Sequence, residues 1–216
     1  EVSHLPPLNL GERLDYLIQY PHGCIEQTTS SVFPQLFLTS LMPLSEERKL
    51  QIQKNVSAGI DRLKSFQVSS GGFGYWPGQE ASPWGSNYAG HFLIEAKALG
   101  YALPTGMLEQ WTSYQRGRAE SWANNGRTGD QLIQAYRLFG LALAQKPDLS
   151  AMNRLKEASN LKIQARWRLA AAYHLAGQSE VAKSVILGQS TATSAYTGHG
   201  NTYGSALRDQ ALVLDT

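Results

Sequence analysis

The sequence predicts an all-α protein assembled from helical hairpins, and three observations predict it. Apolar residues recur at helical spacing; Ile52, Val56, Ile60 and Leu63 stand four, four and three positions apart and define an amphipathic stripe. No segment alternates apolar and polar residues for long enough to make a strand. Three segments, Tyr88 to Pro104, Leu132 to Pro147 and Arg166 to Gly177, run small and aromatic residues into a Gly or Pro stop, as loosely repeated hairpins would. A chain of 216 residues can bury a substantial core, so residues 1–216 read as a single domain, or one large piece of one, with no second domain.

In chain order, Asn9 and Glu12 form a capping-box pattern, and Leu10, Leu14 and Leu17 lie on one face of a first helix that delivers the chain to Tyr20-Pro21. Pro34 predicts a kink or break near Ser30 to Phe33 in the helix after Cys24. Val32, Phe33, Leu36, Phe37 and Leu41 are expected in the core. Pro43 ends that segment. Ser45 then caps a long helix, with Glu46 and Glu47 favoured by the dipole at its start.

Ser69 to Gly78 holds four glycines, a proline and three aromatics in ten residues. That composition excludes a helix and predicts a tight loop that places large rings. Ser82-Pro83-Trp84-Gly85-Ser86 extends it. Four later helical faces follow: Leu108, Trp111 and Tyr114; Leu132, Tyr136, Phe139 and Leu143, with Asp130 near the helix start; Ile163, Trp167, Ala170 and His174; and Val181 with Val185. His174, on an apolar face, is expected to be a satisfied core residue. Gln189 to Tyr203 is a polar Ser/Thr/Gly loop containing His199, and it leads to a helix with Leu207, Ala211 and Leu214 on one face. The chain stops at Thr216 inside an apolar helical pattern with no cap, as a fragment truncated at its C-terminus would.

The formal net charge is +2 with no Lys/Arg cluster, so nucleic acid and acidic membrane surfaces are poor partners. The longest uncharged run, Gln27 to Ser45, is interrupted by Thr, Ser, Gln and two prolines and is not a membrane span. Glu1-Val2-Ser3-His4 has no secretory-leader pattern. The single cysteine excludes an intrachain disulfide and leaves the redox compartment open. His22, Cys24 and His91 match no compact metal-ligand spacing, and no metal or other cofactor is expected.

The chemistry concentrates at Tyr20-Pro21-His22-Gly23-Cys24-Ile25-Glu26-Gln27-Thr28. Cys24 and Gln27 are three positions apart, and on a helical turn such residues share a face. A thiol held against a carboxamide can attack the amide carbon and expel ammonia, leaving an internal thioester between Cys24 and Gln27. Pro21 and Gly23 give a tight entry that seats Cys24 at the first turn, where free backbone N–H groups favour negative charge on sulfur. A lone cysteine is otherwise an ordinary small buried hydrophobe. Glu26 can hydrogen-bond locally to support the turn or stand as a solvated carboxylate; His22 can orient the entry.

Gly23-Cys24-Ile25-Glu26-Gln27 resembles the thioester signature of the alpha-2-macroglobulin and complement family, and the flanking Tyr20-Pro21-His22 and Thr28-Thr29-Ser30 resemble its bacterial branch. The loop Gly71 to Trp76, followed by the helix Asn87 to Ala96, is similar to the corresponding part of α/α-toroid proteins, which include thioester domains, protein prenyltransferases and terpene cyclases. Tyr203 to Ala211 resembles the late helix of bacterial thioester domains. The resemblance implies an α/α toroid of the thioester-domain, terpenoid-cyclase-like type. It implies that Cys24 and Gln27 are the thioester partners with Glu26 in support, and that Tyr20, Phe73, Tyr75, Trp76 and Trp84 keep water away. It also implies a single-turnover covalent trap rather than an enzyme, an endopeptidase inhibitor of the periplasm or cell envelope. Bait-region cleavage would expose the bond to lysine amines of the attacking protease. The partners are then proteases, other amine-bearing proteins and the other domains of the parent.

Some vertebrate members redirect the thioester to hydroxyls with a downstream histidine; the corresponding region, Ser121 to Gly126, has none, which implies direct transfer to amines. His91 and His199 are the remaining acid/base candidates. Two rival readings stand beside this one. A zinc-dependent prenyltransferase-like toroid would need the metal site the spacing does not supply. A helical-repeat binding scaffold is mimicked by Trp167, Tyr173, Gly177 and Ala182 over only one helix pair.

Overall fold

The computed structural model describes residues 16–125, 129–192 and 204–216. Among them lie α1 (Ile25–Val32), the short α2 (Leu38–Leu41), α3 (Glu46–Lys64), α4 (Pro83–Ala98), α5 (Met107–Glu120), α6 (Asp130–Leu143), α7 (Leu149–Lys156), α8 (Ile163–Leu175), α9 (Ser179–Ile186) and α10 (Ala206–Leu214). The described residues contain no strand; isolated bridges join Gln67 to Phe73 and Gly74 to Ala81. None of their helices is long and apolar enough to cross a membrane.

The helices form two rows. In one, α1 packs on α4, α4 on α6, α6 on α8 and α8 on α10. In the other, α3, α5, α7 and α9 lie behind them: α3 against α1 and α4, α5 against α4 and α6, α7 against α6 and α8, α9 against α8. The sequence accounts for this division. α6 buries every residue from Gln134 to Ala142, as a helix covered on most sides must, whereas α3 buries only the stripe around Ile52, Val56, Ile60 and Leu63. Ile25, Ile60, Phe66, Phe73, Phe92 and Trp111 form the core around α1, and Leu138, Leu141, Met152, Leu169 and Tyr173 the core around α6 and α8. Full burial of one such side chain contributes about 1.5–3 kcal/mol.

Expected signals hold at several elements. Ser45 Oγ accepts the Arg48 N–H at 3.3 Å and caps α3. α1 ends at Val32, and a single 3-10 turn, Pro34–Leu36, follows because Pro34 cannot continue the backbone ladder. That turn also corrects the expected core. Phe37 and Leu41 are 39% and 64% exposed, and Leu38 is buried in their place. A 3-10 turn advances three residues per turn, so the stripe projected at helical spacing falls out of phase beyond Pro34.

Two further expectations fail. His174 is exposed in the last turn of α8, with Nδ1 3.1 Å from Ser179 Oγ. The buried face of α8 runs through Ala165, Leu169, Ala172 and Tyr173 instead. On α10, Leu207 and Leu214 are 76% and 88% exposed, while Asp209 and Leu212 turn inward. Asp209 is gripped by Gln164 of α8 at 2.9 Å and by Arg208 at 2.7 Å, and that polar anchor decides which face of α10 is covered. The Asn9–Glu12 capping pattern, Leu10, Leu14 and His199 lie outside the described residues.

Candidate functional site

Cys24 is the N-cap of α1, with extended backbone (φ −71°, ψ 175°), and Gln27 is the third residue of the helix. The Gln27 side chain turns back over the entry, and its Oε1 accepts the Cys24 N–H at 3.0 Å. Gly23 makes that fold-back possible. It has φ +80°, and a Cβ there would stand 2.1 Å from Gln27 Oε1 and 2.9 Å from Cδ. The two residues of the sequence motif are therefore brought together in one capping box. Cys24 is 3% exposed, while Gln27, three residues on, is exposed to solvent.

Four hydrogen bonds fix the turn. Arg62, in the last turn of α3, donates through Nη2 to the Gly23 carbonyl at 2.8 Å and through Nε to Thr28 Oγ1 at 3.1 Å. The Ile25 N–H, one of the free donors at the start of α1, is taken by the Tyr75 carbonyl at 3.1 Å. His22 Nδ1 lies 3.0 Å from the Tyr20 carbonyl, which places His22 in the entry turn. Arg62 carries no signal in the sequence, because it lies 39 residues from its Gly23 partner within an ordinary helix end.

The five aromatics proposed as a shield separate. Phe73 is fully buried in the core beside Ile25, its backbone held by Ser86 Oγ at 2.8 Å. Trp84, 8% exposed, packs on Tyr136 and under the Arg208 guanidinium. Tyr75 is half-buried and touches Trp76 edge-to-face; Trp76 is 44% and Tyr20 67% exposed. The loop reaches α1 through the Tyr75 carbonyl and through Tyr75 and Trp84, which line a small cavity with Ile25 and Glu26, while the Gln27 side chain is exposed.

Beside α1 lies a groove of about 690 Å³ whose walls include Glu26, Phe33, Trp84, Tyr88, His91 and Arg168. Glu26 is half-buried in its rim, and loss of hydration raises its carboxyl pKa. His91 Nδ1 lies 2.9 Å from Tyr136 Oη, and its ring meets Phe33 and Phe139 edge-on. Burial lowers its pKa, with the nearby Glu95 carboxylate opposing, which favours the neutral imidazole. Its polar partners are Tyr136 and Glu95, 3.7 Å away, not Cys24 or Gln27. No group of three His, Cys, Asp or Glu among the described residues is arranged to hold a metal ion.

Residues 5–114 match the A-macroglobulin TED domain. Over 99% of its length the chain is 30% identical to the alpha-2-macroglobulin of Escherichia coli strain K12, of which it covers 14%. The chain belongs to the alpha-2-macroglobulin family. Among solved structures, Salmonella alpha-2-macroglobulin reacted with methylamine is similar with a TM-score of 0.82 and 29% identity, covering 98% of this chain and 15% of that one. Escherichia coli alpha-2-macroglobulin activated by porcine elastase is similar with a TM-score of 0.75 and 27% identity, covering 90% and 19%. The two helical rows are those of the alpha-2-macroglobulin TED domain, an α/α toroid. The chain thus spans about a seventh of the curated alpha-2-macroglobulins it matches along its whole length.

Proposed function

We propose that this chain is the acyl-transfer part of a bacterial protease trap, and that Cys24 and Gln27 form an internal thioester. One observation carries the reading: the Gln27 carboxamide is folded over Gly23 and its oxygen accepts the Cys24 N–H at 3.0 Å. A carboxamide held there presents its carbon beside the sulfur-bearing residue, the proximity an intramolecular acyl exchange needs. An amine of a bound protease attacks the Gln27 carbonyl carbon, the Cys24 thiol departs, and an isopeptide bond joins the two proteins. Each molecule reacts once. A relative activated by porcine elastase and another reacted with methylamine fit the two parts of this reading, activation by a protease and reaction with an amine.

Direct attack by amines fits His91, whose imidazole is engaged by Tyr136 and Glu95 rather than by the thioester residues. The exposed Gln27, with Trp76 and Tyr20 open beside the entry turn, fits a bond covered by neighbouring domains of the parent until cleavage. Location in the bacterial cell envelope belongs to the same proposal, and fractionation of the native protein checks it.

The test is the intact mass of freshly purified native full-length protein, with thiol labelling before and after methylamine. A mass short by one ammonia, with Cys24 labelled only after the amine is added, is expected. A full mass with Cys24 freely labelled sinks the covalent mechanism.

A further inference from the structure

The peptide unit joining Gly23 to Cys24 is held at both polar ends. Its N–H donates to Gln27 Oε1 at 3.0 Å, and its carbonyl accepts Arg62 Nη2 at 2.8 Å. The guanidinium is itself fixed: Nε donates to Thr28 Oγ1 at 3.1 Å, and Cζ lies 5.6 Å from the centre of the fully buried Phe66 ring. A cation on an amide carbonyl draws electron density from the nitrogen and makes the N–H a stronger donor, so the two bonds reinforce one another.

We propose that Arg62 is a positioning residue for acyl transfer at Gln27: it locks and polarises the Gly23–Cys24 peptide so that the Cys24 N–H serves as the oxyanion donor. The inference rests on the thioester reading and deepens it. In thioester formation Cys24 Sγ attacks Gln27 Cδ and the carbonyl π pair moves onto Oε1. The pair then returns, the C–N bond breaks, and ammonia leaves carrying the thiol proton. In capture an amine nitrogen attacks the same carbon and the pair moves onto the same oxygen. The C–S bond then breaks, and the amine's proton ends on the Cys24 sulfur. Both reactions develop negative charge on one oxygen, which already lies 3.0 Å from the Cys24 nitrogen. Thr28 Oγ1 donates in turn to the His22 carbonyl at 3.3 Å, so the strap holds the entry turn on both sides of Cys24.

The experiment compares native full-length protein with its Arg62→Ala, Arg62→Gln and Arg62→Lys variants. Intact mass gives the fraction short of one ammonia, and thiol release gives the rates of cleavage by methylamine and by water. Removing a direct oxyanion donor slows acyl transfer by about 10²–10³. Arg62 acts at one remove, and about a tenfold slowing is expected in Arg62→Ala and Arg62→Gln. The same factor should apply to methylamine and to water, because every nucleophile charges the same oxygen. Arg62→Lys recovers part of the rate, since an ammonium reaches the Gly23 carbonyl without reproducing the fork onto Thr28. Loss of the ammonia deficit in a variant with an unchanged melting temperature supports the same role in thioester formation. Unchanged rates in variants that retain the deficit overturn the inference alone, as does faster hydrolysis, which marks Arg62 as a cover. A wild-type protein with no deficit overturns the thioester reading and this inference together. Should Arg62→Ala fail to fold, Arg62→Lys and Arg62→Gln carry the comparison.

Discussion

At the scale of single residues, the entry turn depends on one backbone feature and one carboxamide. Gly23 supplies a left-handed φ and leaves room for Gln27 Oε1, and the sequence shows both residues plainly. His91 is legible only as a candidate. Its surroundings come from Phe33, at the end of α1, and from Tyr136 and Phe139 of α6, two segments far apart in sequence, and they make it a partly buried imidazole whose neutral form is favoured. That burial has a pH consequence. The folded pKa is lowered from 6.5, so the unfolded chain takes up a proton that the folded one resists. The stabilising contribution is present above pH 6.5 and is lost as pH falls below it. Thermal melts should show a loss of stability between neutral and mildly acidic pH, and His91→Phe should flatten part of that slope. His91→Phe should also cost on the order of 1 kcal/mol at neutral pH through the lost Tyr136 bond. An unaltered slope would remove His91 as the acid-sensitive group.

At the scale of elements, α4 and α5 cross closely enough to require glycine. The ring of Trp111, fully buried, lies over Gly90, where a Cβ would stand 2.1 Å from Cε2, and its Nε1 is tied to the Ser86 carbonyl at 2.7 Å. Gly90→Ala is therefore expected to destabilise by about 1–3 kcal/mol, overpacking outweighing the gain in helix propensity. Gly117, in the same α5 but with nothing within 4 Å of its Cβ position, should respond oppositely. Gly117→Ala is expected to stabilise by up to about 1 kcal/mol. Urea unfolding of the two variants provides the check; equal effects would show that the crossing is not close.

At the scale of the molecule, a buried polar network ties three helices together. Arg137 of α6, 3% exposed, donates to Gln134 Oε1 and to Gln115 Oε1 of α5, the latter at 3.0 Å. Gln115 donates to Asn87 of α4 at 2.9 Å, and Asn87 donates to the Ile133 carbonyl at 2.9 Å. Burial lowers the Arg137 pKa to about 10, which leaves the guanidinium charged at neutral pH. Arg137→Met would leave two buried carboxamide oxygens without their donor. Each unsatisfied group costs about 1–3 kcal/mol, so chemical denaturation should show a loss of about 2–6 kcal/mol. A neutral outcome would mean the apolar side chain repacks at no cost, as some buried charged groups allow.

The sequence determined the helical class, the Ser45 cap, the break at Pro34, the aromatic loop and the pairing of Cys24 with Gln27. Each depends on neighbours within about one helical turn or on intrinsic backbone limits, which local order encodes. It misassigned Phe37, Leu41, His174, Leu207 and Leu214, because projecting a helical stripe assumes an unbroken period and a single buried face. The 3-10 turn broke the period after Pro34, and packing between the two rows chose the faces of α8 and α10. Arg62 and the Tyr75 carbonyl reach the entry turn from 39 and 50 residues away (75 − 25 = 50), and only the folded chain brings them there. The pair proposed to form the thioester is thus local and written in the chain, whereas the donors that hold the entry turn belong to the tertiary structure, since hydrogen bonds depend on distance in space and not along the sequence.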